Sequence, residues 1–410
     1  MPTLTLIADD LTGTFDASVP FAAAGVSVVT SVEAAAEGGS TIEHCDSPVV
    51  AINSDTRHLD PYDAFLRVGF LVEPAYRSGS RVIFKKTDSV LRGNIGVELA
   101  AVWENAGRGC LHFLPAWPDM DRVTRDGIHY VEGRPVAETR FGQDPFDPVA
   151  TSSISELLAT RENVPVLHVH RDDPVPTGFS GIAYYDVETT ADLEERCAQI
   201  ARSTKGTMLL AGCGGLAHAF AKTLGVDSAA RQTSSVDASR ILVLFGSVNP
   251  VSQGQCAYAT AHGAPTFYVS EAQKLDPGFT TGAEGAALCR AAGESWDAAP
   301  ITVVDATSIE PKDGPVANET RETISRNIGA LLHAVIGGRT SGTIAVAGGD
   351  VLLSFLGYLD EPHVRLLGEV VPGVVDTEVT AGGCTYRILT KSGGFGEPDL
   401  IEKLAVKIRG

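Results

Sequence analysis

Two adjacent carboxylates open the first segment able to do chemistry. Asp9-Asp10-Leu11-Thr12-Gly13-Thr14 follows an apolar run and precedes a helical pattern. Paired carboxylates there repel a phosphate. They suit the hydroxyls of a polyol, a Mg²⁺ ion, or removal of a hydroxyl proton. Asp10 or Thr12 could equally cap the helix. The second segment, Lys85-Lys86-Thr87-Asp88-Ser89-Val90-Leu91-Arg92-Gly93-Asn94, sets three cations against one acid within eight positions. Lysine is a compact point charge, whereas the arginine fork fits a carboxylate or phosphate. Asp88 and Ser89 between them could orient substrate hydroxyls or supply a base; the competing reading is a solvated loop closed by a salt bridge. A third segment, Asn53-Ser54-Asp55-Thr56-Arg57, reads alone as a turn. Taken together, Asp9, Asp10, Thr12, Asp55, Arg57, Lys86, Asp88, Ser89 and Arg92 mark three successive strand ends as one expected site.

Glycines carry the chemistry in the other half. Gly246-Ser247, Ala347-Gly348-Gly349-Asp350 and Lys391-Ser392-Gly393-Gly394-Phe395-Gly396 each follow an apolar run. Glycine lets backbone N–H groups approach a phosphate closely. One Gly pair alone is a tight turn by default. Three in one half favour a nucleotide site built from Ser247, Gly348, Gly349, Asp350, Lys391, Gly393, Gly394 and Gly396. None matches G-x-x-x-x-G-K-[ST] or a G-x-G-x-x-G fingerprint, so a Walker A loop and a dinucleotide site are poorly supported. His168 and His170 alternate along a strand and could face one metal, but no third ligand is apparent in the sequence. They read as core or surface histidines, and no metal ligand set is assigned.

The elements that must position these residues are short apolar runs alternating with helical patterns. Strands are expected over 3–8, 27–30, 49–52, 82–84 and 111–114, and helices over 16–24 and 61–78. The stretch 115–148, rich in Asp, Gly, Arg and Pro, breaks the rhythm as a long excursion too polar for a buried strand. Strands resume over 166–169, 181–186 and 207–211, with a helix over 191–202. A polar stretch, 227–239, is the expected boundary. Beyond it, strands are expected over 240–245, 266–269, 301–304, 343–347 and 386–390, and 311–326 reads as a charged face leading into a helix through residue 336. Such alternation predicts an α/β fold: two domains with mostly parallel sheets and an interdomain cleft, spanning 1–232 and 233–410.

Composition narrows the class. The 410 residues are 44% hydrophobic and 20% charged, which excludes disorder as a dominant state. A net charge of −19 argues against nucleic-acid or anionic-lipid partners, so any anionic ligand must be held by a local concentration of cations. The seven cysteines show no C-x-x-C spacing and read as small buried hydrophobes in a reducing compartment. The N-terminus lacks a basic n-region, and no run approaches 18 apolar residues, so a cytoplasmic protein is expected.

In this order the motifs resemble the four-carbon acid sugar kinase family. The resemblance rests on Ala8–Gly13, Lys86–Gly93, Pro115-Ala116-Trp117-Pro118, Gly246-Ser247, Gly348-Gly349-Asp350, Leu367-Gly368-Glu369 and Lys391–Gly396, and spans nearly the whole chain. Ala347 and Val351 stand where the family pattern carries hydroxyl residues. The resemblance implies an N-terminal domain for a four-carbon sugar acid (threonate, erythronate or an oxo-tetronate), a C-terminal domain for ATP with Mg²⁺, and phosphorylation of the terminal hydroxyl. Arg57 or Arg92 would hold the acid's carboxylate, and Asp9 and Asp10 its hydroxyls. Lys86 or Arg92 would neutralise the moving phosphoryl group, with Asp10 or Asp88 as base. A homo-oligomer is left open. The alternatives are a non-catalytic sugar-acid-binding regulator and, less favoured, a sugar-acid dehydrogenase.

Overall fold

Five-residue apolar runs pair into two large sheets in the computed structural model, which describes residues 3–29, 47–144, 146–226, 232–237, 239–308 and 317–408. The chain divides into two units, Met1–Ala230 and Arg231–Gly410. The polar stretch 227–239 lies partly outside the described residues, at 227–231 and 238.

The first unit carries β1 (Leu4–Ala8), β2 (Val26–Val29), β3 (Val49–Asn53), β4 (Val82–Lys86), β5 (Cys110–Leu114), β6 (Arg122–Arg125), β7 (Ile128–Val131), β8 (Arg134–Pro135), β9 (Val166–Val169), β10 (Gly181–Tyr185) and β11 (Met208–Gly212). Eight of them form a sheet in the order β2-β3-β1-β4-β11-β5-β10-β9, every pairing parallel. β1, β3 and β4 are buried along their whole length because helices cover both faces, which is why their sequences do not alternate. Val68, Leu71, Leu99 and Trp103 of helices Pro61–Arg77 and Ile95–Asn105 pack one face. Ala17, Leu193, Leu216 and Phe220 of helices Leu11–Ser18, Thr190–Ser203 and Gly214–Thr223 pack the other. The register levels the carboxyl ends: Ala8 stands opposite Asn53 and Lys86, and Lys86 opposite Gly212.

Two expectations change here. The 115–148 excursion is not merely loop: β6, β7 and β8 form an antiparallel sheet, turned at Asp126-Gly127 and Glu132-Gly133, whose φ values of 51°, 74°, 52° and 77° are those of a tight hairpin. The helix expected from residue 16 begins at Leu11 and gives way to a 3₁₀ turn over Val19–Ala24, where Pro20 cannot donate to the α ladder.

The second unit carries β12 (Ile241–Phe245), β13 (Thr266–Tyr268), β14 (Ile301–Asp305), β15 (Thr343–Ala347), β16 (His363–Val371), β17 (Val374–Ala381) and β18 (Cys384–Lys391). Their order is β13-β14-β12-β15-β18-β17-β16, parallel as far as β18 and antiparallel across the last three strands. β16 and β17 were not expected. They are a hairpin turned at Gly373 (φ 78°), in which polar and apolar residues mix. The charged stretch at 311–326 lies outside the described residues at 311–316 and is helical from Asn318 to Ile336 thereafter. Cys197, Cys213, Cys256 and Cys289 are buried free thiols and Cys110 and Cys384 are half-buried; Cys45 lies outside the described residues. Among the described residues no helix is long and apolar enough to cross a membrane.

Candidate functional site

The ends of β1, β3 and β4 bring the acidic and basic segments of the first unit into one interlocked cluster. Arg57 is its hub. Its Nε donates to Asp9 Oδ2 at 2.7 Å, and one terminal nitrogen reaches Asp10 Oδ1 at 2.8 Å and Asp88 Oδ1 at 3.5 Å. Burial works against charge on Arg57, but Asp10, Asp9 and Asp88 outweigh it and raise its pKa. Asp88 is almost saturated: the N–H groups of Val90 and Arg92 and the Arg92 Nε bond its Oδ2, and another Arg92 nitrogen its Oδ1. Burial opposes its ionisation, yet Arg92 and Arg57 hold the carboxyl well below the usual range. Arg92 also reaches Asp144 Oδ2 at 3.4 Å.

Asp10 is the N-cap of helix Leu11–Ser18, accepting from Gly13 N at 3.0 Å and from Thr12 Oγ1 at 2.6 Å. Capping and clustering are therefore one arrangement, not alternatives. Burial is overcome by Arg57 and Lys86, and the Asp10 pKa is lowered. Gly13 is required for close approach, since a Cβ there would stand 2.9 Å from Lys86 Nζ and 2.3 Å from Asp10 Oδ1. Asp9 Oδ1 is buried without a hydrogen-bond partner. Asp55 occupies a left-handed turn (φ 48°), with its N–H on Asn53 Oδ1. Ser89 enters through its carbonyl, which accepts from His129 Nε2 at 3.1 Å.

Lys85 and Lys86 part company. Strand alternation sends Lys85 into the core, where Nζ meets Glu98 Oε2 at 2.8 Å, both side chains being at most 1% exposed. The cationic excess read from the 85–92 segment is thus smaller at the site than in the sequence.

Three neighbours escaped the sequence reading. Asp16, one helical turn beyond Thr12, is buried with Oδ1 unbonded; burial raises its pKa and Lys86 and His218 only partly offset that. His129, from β7, is fully buried and pushed by that burial down to about 4, so a neutral ring bridges the Ser89 carbonyl and Thr124 Oγ1. Arg122, from β6, is buried near Asp88, Arg92 and Asp16. The last two belong to the polar excursion, whose spacing carries no register. Asp16 lies on the same helical face as Thr12, a signal that was available.

In the second unit Phe245 stands opposite Ala347, and Ala347 opposite Lys391, so the three Gly-bearing segments leave the sheet side by side. The N–H groups of Gly246 and Ser247 both donate to Ala347 O at 2.9 Å. Helices Pro250–Ala261 and Gly349–Leu356 begin here, offering N-terminal N–H groups of the kind that bind anions. Gly348 has φ 133°, closed to other residues, and a Cβ on Gly393 would stand 2.4 Å from Ser247 Oγ. Lys391 is 3% exposed, its Nζ 3.0 Å from Ser252 Oγ and 3.0 Å from Gly393 O. Burial alone lowers its pKa to about 7. Among the described residues no carboxylate pairs with it, so an anionic ligand would supply the missing counter-charge.

Other expected residues of this set are engaged within the protein. Asp350 pairs with Arg321 at 2.8 Å in the first turn of its helix. Gly396 (φ 88°) turns the chain against Leu400, and Gly394 lies beside Asn249. Val351 packs where a Cβ on Gly246 would fall, filling with methyls the place of a hydroxyl. Gln255 escaped notice. Its amide donates to the carbonyls of Phe395, Gly396 and Glu397 at 2.9–3.1 Å and fixes the loop. The signal was two polar residues, Ser252 and Gln255, on a buried stripe shared with Cys256 and Ala259.

Residues 4–220 match the family model described as a sugar-binding N-terminal domain, and residues 242–401 the one described as a nucleotide-binding C-terminal domain. The chain belongs to the four-carbon acid sugar kinase family. It is 28% identical over 416 residues to D-threonate kinase of Bordetella bronchiseptica, covering 100% of this chain and 98% of that protein. The D-threonate kinase of Salmonella typhimurium is 26% identical, with 96% of this chain and 95% of that one aligned. The 3-oxo-tetronate kinase of Methylobacterium radiotolerans is 24% identical, over 97% of each. A crystal structure of a Salmonella typhimurium LT2 protein shares the fold with a TM-score of 0.72 at 19% identity, covering 98% of both chains.

Proposed function

We propose that the protein is an ATP-dependent kinase that phosphorylates the terminal hydroxyl of a four-carbon sugar acid, threonate, erythronate or an oxo-tetronate. In this reading the sugar acid binds an N-terminal domain of residues 1–232, and ATP a C-terminal domain of residues 233–410. The observation that carries it is the contrast in donor sets: a carboxylate-rich cluster fit for hydroxyls in one unit, and a glycine cradle with an unpaired buried lysine fit for phosphate in the other.

Phosphoryl transfer needs positioning and charge stabilisation more than covalent chemistry. Arg57 and Arg92 receive the sugar acid's carboxylate, the forks being held in place by Asp9, Asp10 and Asp88. The unbonded Asp9 Oδ1 accepts a substrate hydroxyl. Asp10 is the better placed base. Beyond Thr12 its Oδ2 has room for a hydroxyl proton, whereas Asp88 has its lone pairs committed to arginine and backbone donors. Lys86 faces the charge that develops on the migrating group. Lys391, Ser247 and the N–H groups around Gly348, Gly349, Gly393 and Gly394 cradle the nucleotide phosphates. Mg²⁺ neutralises phosphate charge when bound; no carboxylate of this chain is assigned to it, and phosphate oxygens with water satisfy its preference for hard ligands. A cytoplasmic location suits an enzyme drawing on ATP.

Purified protein incubated with Mg-ATP and a panel of threonate, erythronate and oxo-tetronates should release ADP only with a matching acid, and the product should carry a 4-phosphate. Absence of acid-dependent ADP across the panel would sink the kinase reading. Sugar-acid binding without ATP binding in calorimetry would leave the regulator.

A further inference from the structure

The two histidines set aside in the sequence acquire a third partner in the fold, at the far edge of the first sheet from Asp9 and Asp10. His168 and His170 project from the same face of the end of β9, two residues apart. β10 runs parallel beside it with Tyr184 opposite His168, so Asp186 follows directly and anchors its N–H on Val169 O at 3.1 Å. Asp186 Oδ2 lies 3.0 Å from His168 Nε2 and 3.5 Å from His170 Nδ1, and the three atoms fall within 4.8 Å of one another.

We propose that His168 Nε2, His170 Nδ1 and Asp186 Oδ2 form a mononuclear site for a divalent transition-metal ion of the zinc class. Metal–nitrogen and metal–oxygen bonds of ~2.0–2.2 Å in a tetrahedron place neighbouring donors ~3.3–3.5 Å apart; the 3.5 Å separation of His170 from Asp186 matches, and the 3.0 Å of His168 would open by a few tenths of an ångström on binding. His168 Nε2 is buried and makes no hydrogen bond, although Asp186 Oδ2 stands at ion-pair distance from it. A donor set of two nitrogens and one oxygen suits zinc, cobalt or nickel and not magnesium or calcium, which take all-oxygen sets.

Neighbouring groups hold these donors in their orientation. Asp186 Oδ1 accepts from Gly127 N at 2.9 Å, leaving Oδ2 for the ion. The His168 ring stacks on Tyr184, centroids 4.6 Å apart and planes 9° off parallel. The His170 backbone is pinned by Asp173 and by the Arg196 guanidinium. A groove of about 720 Å³ opens at Asp186, and of its five carboxylates Asp192 and Glu195 are paired with Arg171 and Arg202. The His170 side chain is 59% exposed and gives entry and an open fourth position for water. Because Gly127 is the turn between β6 and β7, a bound ion would clip that hairpin to the sheet edge.

The test uses full-length, tag-free protein stripped by a chelator and titrated with Co²⁺, then Zn²⁺. The expected result is one Co²⁺ per chain with visible absorption of low-symmetry cobalt, displaced stoichiometrically by Zn²⁺, and a Tm raised by Zn²⁺. His170→Ala and Asp186→Asn should each weaken uptake on the order of tenfold or more. His170→Ala removes an exposed ring, so its Tm in chelator should match the parent and separate ligation from folding. Unsaturable uptake, or uptake that both substitutions leave unchanged, overturns the proposal.

Discussion

Two strand-end clusters in this chain confront anions with opposite materials. At the ends of β1, β3 and β4, the guanidiniums of Arg57 and Arg92 are already matched by Asp9, Asp10 and Asp88. At the ends of β12, β15 and β18, the donors are backbone N–H groups, and the Lys391 ammonium faces only neutral oxygens. The first cluster is charge-matched from within, so on the proposed reading the sugar acid meets guanidiniums already held in place and carboxylates fit for its hydroxyls. The second has, among the described residues, no carboxylate paired with Lys391, a charge that nucleotide phosphates would supply on the proposed reading. On that reading a chain with a net charge of −19 would take two anions without a basic surface.

The comparison breaks first at Arg57. Arg57→Ala leaves three buried carboxylates without their shared cation and should cost about 3–5 kcal/mol of stability, read by denaturant unfolding. Arg57→Lys should not restore it, because an ammonium cannot span three carboxylates. Arg92→Ala comes next. It should remove at least ~2 kcal/mol of transition-state stabilisation, about thirtyfold in kcat/KM for the sugar acid, with the KM for ATP little changed. An unchanged kcat/KM would remove Arg92 from the machinery.

Lys391→Met probes the other side. It should weaken ATP binding about tenfold in calorimetry while raising stability at neutral pH. The sign follows from a folded pKa near 7, below the lysine's ordinary 10.5. The unfolded chain binds more protons across that window, so parental stability rises with pH between them and the methionine variant loses the slope. A phosphate beside Lys391 should draw a proton onto it. ATP binding should then show proton uptake near pH 8, measured in buffers of different ionisation enthalpy.

Asp16→Asn sharpens the contrast with the smallest effect. Burial raises the Asp16 pKa above 3.8, so its stability contribution is present at low pH and lost as pH rises through the folded value. The neutral amide escapes that loss, and Tm at pH 7 should rise by about 2–4 °C. A fall in Tm would mean that Asp16 is held by its cationic neighbours more strongly than burial opposes it.

Parallel strands were legible because full burial leaves uninterrupted apolar runs, as in Val49–Asn53 and Ile241–Phe245. β16 and β17 were not, because one register of mixed polarity reads as loop until the Gly373 turn pairs it. The strand-end motifs gave the residues at each cluster but not their partners. The salt bridge within the 85–94 segment was readable, as Asp88 with Arg92, but nothing in the sequence tells that Arg57 bridges Asp9 and Asp10, that Asp350 answers to Arg321, or that Asp186 arrives beside His168. The latter pairings depend on how separate strands and helices pack, which spacing within one segment does not encode.

The Lys85–Glu98 pair bears on how β4 finds its place. A slip of β4 by one residue would turn Lys86 inward and Lys85 toward the strand-end carboxylates, a near-isosteric exchange that side-chain type alone would not penalise. Glu98, fixed on helix Ile95–Asn105, meets an ammonium at only one height along the strand. The buried pair thus acts as an alignment pin between two identical side chains, deciding which lysine turns to the interior and which to the strand-end carboxylates.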